Sequence, residues 1–124
     1  MTRLWRQEAA LAVLGCILSA GSYSADAGVR VAKRVHAAGL DPEHFFIESE
    51  GELYRTILRL ADQGLPVDAI SVAAELDRDH ADPRLIAKLN ILAREVPAIG
   101  AADRYARIVT DAATRREIEE RGAA

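Results

Sequence analysis

The sequence predicts an all-α fold, a compact orthogonal bundle of six to seven helices with a projecting C-terminal helix. Three observations lead to this prediction. Apolar residues recur at spacings of three and four. Glycine, proline and helix-capping residues interrupt these runs at short intervals. A length of 124 residues suits one domain, and a composition that is 50% hydrophobic but only 5% aromatic suits closely packed helices.

The first two helices are predicted from their apolar spacing and their end signals. The first is expected over Leu4–Ala20, with Gly21 ending it. The second is expected to begin after Ser24 as N-cap and to end at Ala38, with Gly39 in the left-handed position that follows. The inward-facing residues are Leu4, Leu11, Leu14, Ile17 and Leu18 in the first helix, and Val31 and Val35 in the second.

A short helical turn should follow, because Asp41 can act as N-cap and Pro42 suits the first helical position. This turn is expected to extend through Phe46. Phe45 and Phe46 are the only phenylalanines of the chain. We predict that both close this connection onto the core.

A longer fourth helix and a shorter fifth helix come next. Ser49 and Glu52 have the spacing of a capping box at the start of the fourth helix. Gly64 and Pro66 end it, and Asp68 can cap the fifth. The expected inward-facing residues are Leu53, Ile57, Leu60 and Ala61, followed by Ile70, Val72, Ala73 and Leu76.

The remaining chain predicts two more helices. Asp82 and Pro83 repeat the combination of an N-cap and a proline, and Pro97 and Gly100 separate the sixth helix from a last one over about residues 101–121. After residue 113, Ile118 is the only large apolar residue, so the last helix should project from the core or fray. The inward-facing residues are Leu85, Ile86, Leu89 and Leu92, and then Tyr105, Ile108, Val109 and Ala112.

The sequence offers no candidate for catalysis, cofactor binding or metal binding, so we expect a protein that is not an enzyme. It contains neither G-x-x-x-x-G-K-[ST] nor G-x-G-x-x-G, the two common phosphate-binding patterns. Its histidines lie in separate segments, and His44 between Glu43 and Glu48 is the nearest approach to a metal site. Cys16 has no disulfide partner in the chain and is expected to be a buried, inert thiol.

Charge and hydropathy limit the partners. A net charge of −3 argues against nucleic acid being gripped over the whole surface. The longest apolar run, residues 9–18, is too short for a bilayer, and we expect a cytoplasmic protein without a membrane segment.

Two basic groups could still form local contacts. Arg30, Lys33 and Arg34 share one helix face and form a candidate nucleic-acid patch, and Arg115 and Arg116 follow on the last helix. The alternative interpretation of both groups is an ordinary charged surface.

Four segments, taken together, resemble the N-terminal domain of DnaB-family replicative DNA helicases. Residues 8–18 are similar to the family's E-x-x-V-L-G-x-x-L, and residues 39–46 to its loop ending in D-F-Y or D-F-F. Residues 53–77 resemble I-x-x-L-x-x-x-G-x-P-x-D-x-x-T-V-x-x-x-L, with Gly64, Pro66 and Asp68 in place. Residues 96–109 resemble V-P-S/T-A-x-N-x-x-x-Y-A-x-I-V, which includes Tyr105.

The chain also departs from this family. A Gly-Gly element usually precedes the sixth helix, where this chain has Ala81-Asp-Pro. The family continues into the second arm of a helical hairpin, a linker and an ATPase domain, none of which matches this sequence. We therefore expect no helicase activity in this chain. The Met1 start and the last five residues favour a free-standing protein over a fragment.

The resemblance implies a protein-interaction domain of DNA replication. In the family, this domain builds the collar of a hexameric ring and docks primase or loader proteins. The implied partner is a replisome protein, such as primase, a helicase loader or full-length helicase, and any direct DNA contact should be weak. The candidate partner interface is Tyr105, Arg115, Arg116 and Ile118. We expect a monomer or a weak homodimer, because the last helix has so little apolar area.

Two other functions are compatible with the residues. One is a small DNA-binding regulator that uses Arg30, Lys33 and Arg34. The other is a primase-type helicase-binding domain, which has similar helical architecture but lacks the G-x-P-x-D string.

Overall fold

Six α-helices and two short 3₁₀ turns make up the secondary structure that the computed structural model describes, over residues 2–76, 83–96 and 98–122. No strand occurs within those three ranges, so the predicted all-α fold is confirmed. The helices are α1 (Thr2–Tyr23), α2 (Ala25–Ala37), α3 (Glu48–Asp62), α4 (Ala69–Leu76), α5 (Pro83–Arg94) and α6 (Ala102–Gly122). The 3₁₀ turns are Pro42–His44 and Ile99–Ala101.

The first helix, α1, lies at the centre of the bundle. It packs most extensively against α2, α5 and α6, and it also touches α3 and α4. Its buried hydrophobic residues are Ala9, Ala10, Ala12, Val13, Leu14, Cys16, Ile17 and Leu18. A helix that is apolar on most of its sides must be enclosed by others, which explains why the remaining helices surround α1.

Two glycines allow α1, α2 and the α3–α4 connection to approach closely. A Cβ atom on Gly28 would lie 2.5 Å from Cγ2 of Val67 and 2.7 Å from the Cα of Gly21. Similarly, a Cβ atom on Gly21 would lie 2.5 Å from the backbone oxygen of Val67. The prediction that Gly21 ends the first helix was wrong, since α1 continues to Tyr23. Gly21 makes room for a neighbouring backbone instead.

The start of α2 follows the prediction, whereas the start of α3 does not. Ser24 is the N-cap of α2, and its Oγ accepts a hydrogen bond from the Ala27 amide at 3.4 Å. The predicted Ser49–Glu52 capping box is wrong, because α3 already begins at Glu48 with Ile47 as N-cap. Ser49 therefore lies inside the first turn, where it cannot serve as the cap.

The α3–α4 connection has the geometry that its sequence predicts. Gly64 adopts a φ of +69°, a conformation that favours glycine, and the amide of Leu65 donates to the Leu60 carbonyl at 2.9 Å. Asp68 caps α4, since its Oδ1 accepts from the Ser71 amide at 2.8 Å.

Side chains from several elements complete the core. Tyr54 is fully buried and donates its hydroxyl to the Leu40 carbonyl at 2.8 Å. The Phe45 ring lies 5.2 Å from the Tyr54 ring, centroid to centroid, and is also buried. Three residues predicted to face inward do not, since Phe46 is 71%, Ile70 is 67% and Leu11 is 40% exposed.

The helix α5 begins at Pro83, as predicted, while the proposed cap Asp82 and also Pro97 fall outside the described residues. Leu89 is buried in the core, and Leu85, Ile86 and Leu92 are partly buried against it. In the described chain no helix is long and apolar enough to cross a membrane.

The last helix, α6, changes character along its length. Its buried residues are Ala102, Ala106, Val109 and Ala113. Tyr105 and Ile108 are partly buried against the core. Beyond Ala113 no residue up to Gly122 is buried, and Ile118 is 63% exposed. The predicted projecting C-terminal helix is therefore confirmed. We call residues 114–122 the α6 tip.

Candidate functional site

The α6 tip presents Arg115 and Ile118 on one solvent-exposed face. Both side chains are exposed, and a spacing of three residues places them side by side on a helix. Thr114 and Asp111 share this face and are also exposed. The Thr114 hydroxyl donates to the Thr110 carbonyl at 3.1 Å, within the helix itself. An apolar side chain and a cation thus stand together on a surface that no other element of the described chain covers.

The other two residues of the predicted partner interface lie elsewhere. Tyr105 is partly buried and packs against the core, about 15 Å from Arg115 along the helix axis. Arg116 points to a different side of α6, where its guanidinium carbon lies 5.1 Å from the centroid of the Phe46 ring. The structure therefore joins only Arg115 and Ile118 into one surface.

A groove lies where Arg116 meets Phe46, between α1, the segment that leads into α3, and α6. We call it the Phe46 groove. Its volume is about 170 Å³. The lining residues are Gln7, Ala10, His44, Phe46, Ile47, Glu50, Val109, Ala112, Arg116 and Glu119. A second, shallow depression continues from it along α6, lined by Glu43, His44, Ala113, Thr114, Arg116, Glu117 and Glu120.

Acidic side chains surround this groove. Burial raises the pKa of the Glu50 carboxyl above its ordinary value, because the charged form loses contact with water. Glu119 lies in the same groove and no described cation pairs with it. On the same helix, Glu117 forms an ion pair with Arg121 at 2.9 Å, from carboxylate oxygen to guanidinium nitrogen. A ligand for this groove must therefore tolerate or neutralise negative charge.

His44 is held in place at the mouth of the groove. Its Nδ1 accepts a hydrogen bond from the Asp41 amide at 2.9 Å. The carboxylate of Asp41 lies 3.2 Å from Nε2 of His36. These contacts fix the Pro42–His44 turn, and they therefore set the direction in which the chain continues to Phe46. Within the described ranges, no three His, Cys, Asp or Glu side chains gather in a way that could hold a metal ion.

The basic face of α2 is only partly free. Nε of Arg34 lies 3.0 Å from Oδ1 of Asp103 on α6, with both side chains about half exposed. Arg30 and Lys33 are exposed, and neither forms an ion pair with a residue that the structure describes. Because Arg34 is paired with Asp103, this face attracts phosphate less strongly than three unpaired cations would.

Cys16 has the character expected of a structural residue. It is buried in the centre of α1, and its thiol lies 3.6 Å from the carbonyl oxygen of Ala98. Burial raises the pKa of this thiol to about 11, so that the reactive thiolate is scarce at neutral pH.

Sequence reasoning missed the Phe46 groove, because it predicted a helical turn that extends through Phe46. That prediction was wrong, since the turn ends at His44 and Phe45 has extended backbone angles, with φ −78° and ψ 125°. Neighbouring side chains on extended backbone point to opposite sides, so Phe45 and Phe46 cannot both enter the core. The approach of Arg116 to Phe46 joins positions 70 residues apart, and no pattern in the sequence predicts it.

Comparisons with known proteins identify the family of this chain. The family described as DnaB-like helicase N terminal domain matches residues 3–111. The replicative DNA helicase DnaB of Geobacillus stearothermophilus is 33% identical over 81 residues, which are 64% of this chain and 18% of that helicase. The chain thus spans less than a fifth of the length of this relative.

A solved structure gives the same result at the level of the fold. The N-terminal domain of the DnaB helicase from Mycobacterium tuberculosis is 34% identical and superposes with a TM-score of 0.75. The superposition covers 93% of this chain and 78% of that domain's chain. The six helices therefore have the DnaB N-terminal fold, and this chain belongs to the family of DnaB-like helicase N-terminal domains.

Proposed function

We propose that this chain is a non-catalytic docking domain of DNA replication, which binds a primosome protein such as primase, a helicase loader or full-length helicase. Membership of the DnaB-like N-terminal domain family supports the link with replication. Such partners would place the protein in the cytoplasm.

The observation that carries the docking role is the α6 tip. It continues the last helix past the core, and it keeps Ile118 63% exposed beside the exposed Arg115. Apolar residues and arginine are enriched at the centre of protein interfaces. A single isoleucine buries too little area for strong self-association, so we expect the isolated chain to be a monomer or a weak dimer.

Binding to purified partners tests this role. The domain is immobilised and exposed in turn to primase, loader and full-length helicase from the source organism. At least one should bind, and the double change Ile118→Glu with Arg115→Glu should abolish that binding. Ile70→Glu is the matched control, because Ile70 is 67% exposed on α4. Absence of binding to all three proteins would contradict the proposal.

The proposal includes the absence of catalysis. The matched segment is the N-terminal domain of a helicase, which is distinct from the ATPase domain, and the sequence contains no G-x-x-x-x-G-K-[ST] pattern. We expect no ATP hydrolysis and no duplex unwinding by purified protein. Turnover that co-purifies with the protein through further steps would contradict this.

The runner-up function, DNA binding through α2, has less support, because Arg34 is already paired with Asp103. Salt distinguishes the two functions, since binding to phosphates weakens steeply with added salt. Charge reversal at Arg30 and Lys33 should leave partner binding intact. The other alternative, a primase-type helicase-binding domain, is not retained, because the chain belongs to the helicase N-terminal family.

A further inference from the structure

We propose that the Phe46 groove binds a cationic peptide segment of a protein partner, with an apolar side chain of that segment inserted beside Phe46. This inference deepens the proposed function and rests on it, since it assigns a chemical class to the partner of a docking domain. It also adds a second surface, separate from the Arg115–Ile118 face of the α6 tip.

Phe46 provides the apolar contact. It is 71% exposed even though Arg116 lies over its ring, whereas its neighbour Phe45 is 6% exposed. Ala10, Val109 and Ala112 form small apolar walls, so the groove has room for one inserted side chain. A large aromatic beside a cavity of about 170 Å³ is the arrangement that anchors a partner's apolar side chain.

The charge of the groove indicates which side chains should flank the apolar anchor of the bound segment. Glu50 and Glu119 line the groove itself, and Glu43, Glu117 and Glu120 line the depression that continues from it. Arg116 is the only arginine or lysine among these lining residues, and its guanidinium already lies over Phe46. Glu117 is already paired with Arg121, and lysine or arginine side chains flanking the apolar anchor would neutralise the other carboxylates.

The half-buried Glu50 supports the same occupant. Burial disfavours its charged form, so that a cation arriving within a few ångströms gains more there than at an exposed carboxylate. A nucleic acid would bring phosphates to an acidic rim and be repelled.

Fluorescence anisotropy with a short labelled peptide tests the groove. The probe carries one tryptophan flanked by lysines, and its matched peptide carries glutamates in their place. The lysine peptide should bind and the glutamate peptide should not. Phe46→Ala should weaken binding about tenfold, as expected for an aromatic anchor. The double change Glu50→Gln with Glu119→Gln should weaken it and reduce its dependence on salt.

Two control variants test whether these effects are specific to the Phe46 groove. Ile70→Ala removes an equally exposed apolar side chain from α4, and Glu52→Gln removes an exposed carboxylate from α3 outside the groove. Neither should change binding. Circular dichroism should give the same unfolding midpoint for Phe46→Ala as for wild type, because Phe46 is exposed.

Several results would overturn the inference. These are failure of the lysine peptide to bind, equal binding of both peptides, or affinity unchanged by Phe46→Ala. Self-association that is lost in Phe46→Ala, measured by light scattering without peptide, would assign the groove to a second copy of the chain. Partner capture that survives Phe46→Ala but fails in the Ile118 and Arg115 variant would leave the proposed function standing without the groove. Wild-type protein that captures no replication protein would remove the proposed function whatever the peptide does.

Discussion

The helices α1 and α6 are almost equal in length, with 22 and 21 residues, but they differ in how far other elements cover them. Between residues 9 and 18 of α1, only Leu11 is exposed. On α6, the buried positions recur every three or four residues and end at Ala113. Five other helices touch α1, whereas α6 packs against α1, α2 and the two 3₁₀ turns.

This difference in coverage gives the two helices different roles. A helix that is covered on most sides can hold the bundle together but has little surface for a partner. A helix that is covered along one stripe keeps its other faces available. In this protein the long central helix stabilises the fold, and the long peripheral helix provides one candidate docking surface and one wall of the other.

Truncating a buried leucine on α1 should have the largest effect on stability. Leu14 is fully buried, so Leu14→Ala should lower the free energy of unfolding by about 2–5 kcal/mol, from lost burial and the cavity left behind. The same change at Leu11, which is 40% exposed on the same helix, should cost much less. Denaturant unfolding measures both. Equal losses would mean that α1 is not enclosed as described.

A methyl group added at the crossing of α1 and α2 should cost about 3 kcal/mol, because backbone atoms stand in its way. In Gly28→Ala the new Cβ would meet the Cα of Gly21 at 2.7 Å. Gly122→Ala, at the end of α6, is the control, since nothing lies within 4 Å of its added Cβ. Thermal unfolding should show a lower midpoint for the first variant only. A stabilised Gly28→Ala protein would contradict the close approach.

The thiol on α1 should make stability depend on pH in the alkaline range. The pKa of Cys16 is raised from 9.0 to about 11, so the unfolded chain releases its proton first as pH rises. The contribution of the neutral thiol is complete well below pH 9 and is lost as pH rises to 11, by about 3 kcal/mol in total. Cys16→Ala lacks this loss, and the difference between the two proteins isolates it from other titrating groups. Parallel stability curves would show that the thiol is not desolvated.

Truncation at the α6 tip should have the smallest effect on stability. Ile118→Ala removes a side chain that is 63% exposed, so the free energy of unfolding should change by less than about 0.5 kcal/mol. Binding to the replication partner should nevertheless weaken. Calorimetry on the same sample can measure both quantities. Loss of stability without loss of binding would mean that Ile118 belongs to the core.

The sequence predicted helices well wherever end signals and packing agreed. Gly64 and Asp68 end one helix and cap the next in the structure, as their local chemistry requires. The inward-facing set was less well predicted. On α4 the buried residues Ala69, Val72 and Ala73 form one stripe, and Ile70 lies about 100° away from Ala69 around the helix. The hydrophobicity of Ile70 alone predicts that this residue belongs to the buried stripe.

The candidate site was predictable only in part. Exposure of Ile118 follows from the polar sequence around it, and the structure agrees. The place of Tyr105 apart from Arg115, the pairing of Arg34 with Asp103, and the meeting of Phe46 with Arg116 depend on tertiary packing between distant segments. Local periodicity does not contain that information.

The central position of α1 also affects how the protein folds during its synthesis on the ribosome. This helix is synthesised before α5 and α6, yet those two helices cover part of its apolar surface. The buried side of α1 that packs against α5 and α6 therefore lacks these neighbours until α6 has left the exit tunnel. Nascent chains that stall before α6 should expose this surface and attract chaperones.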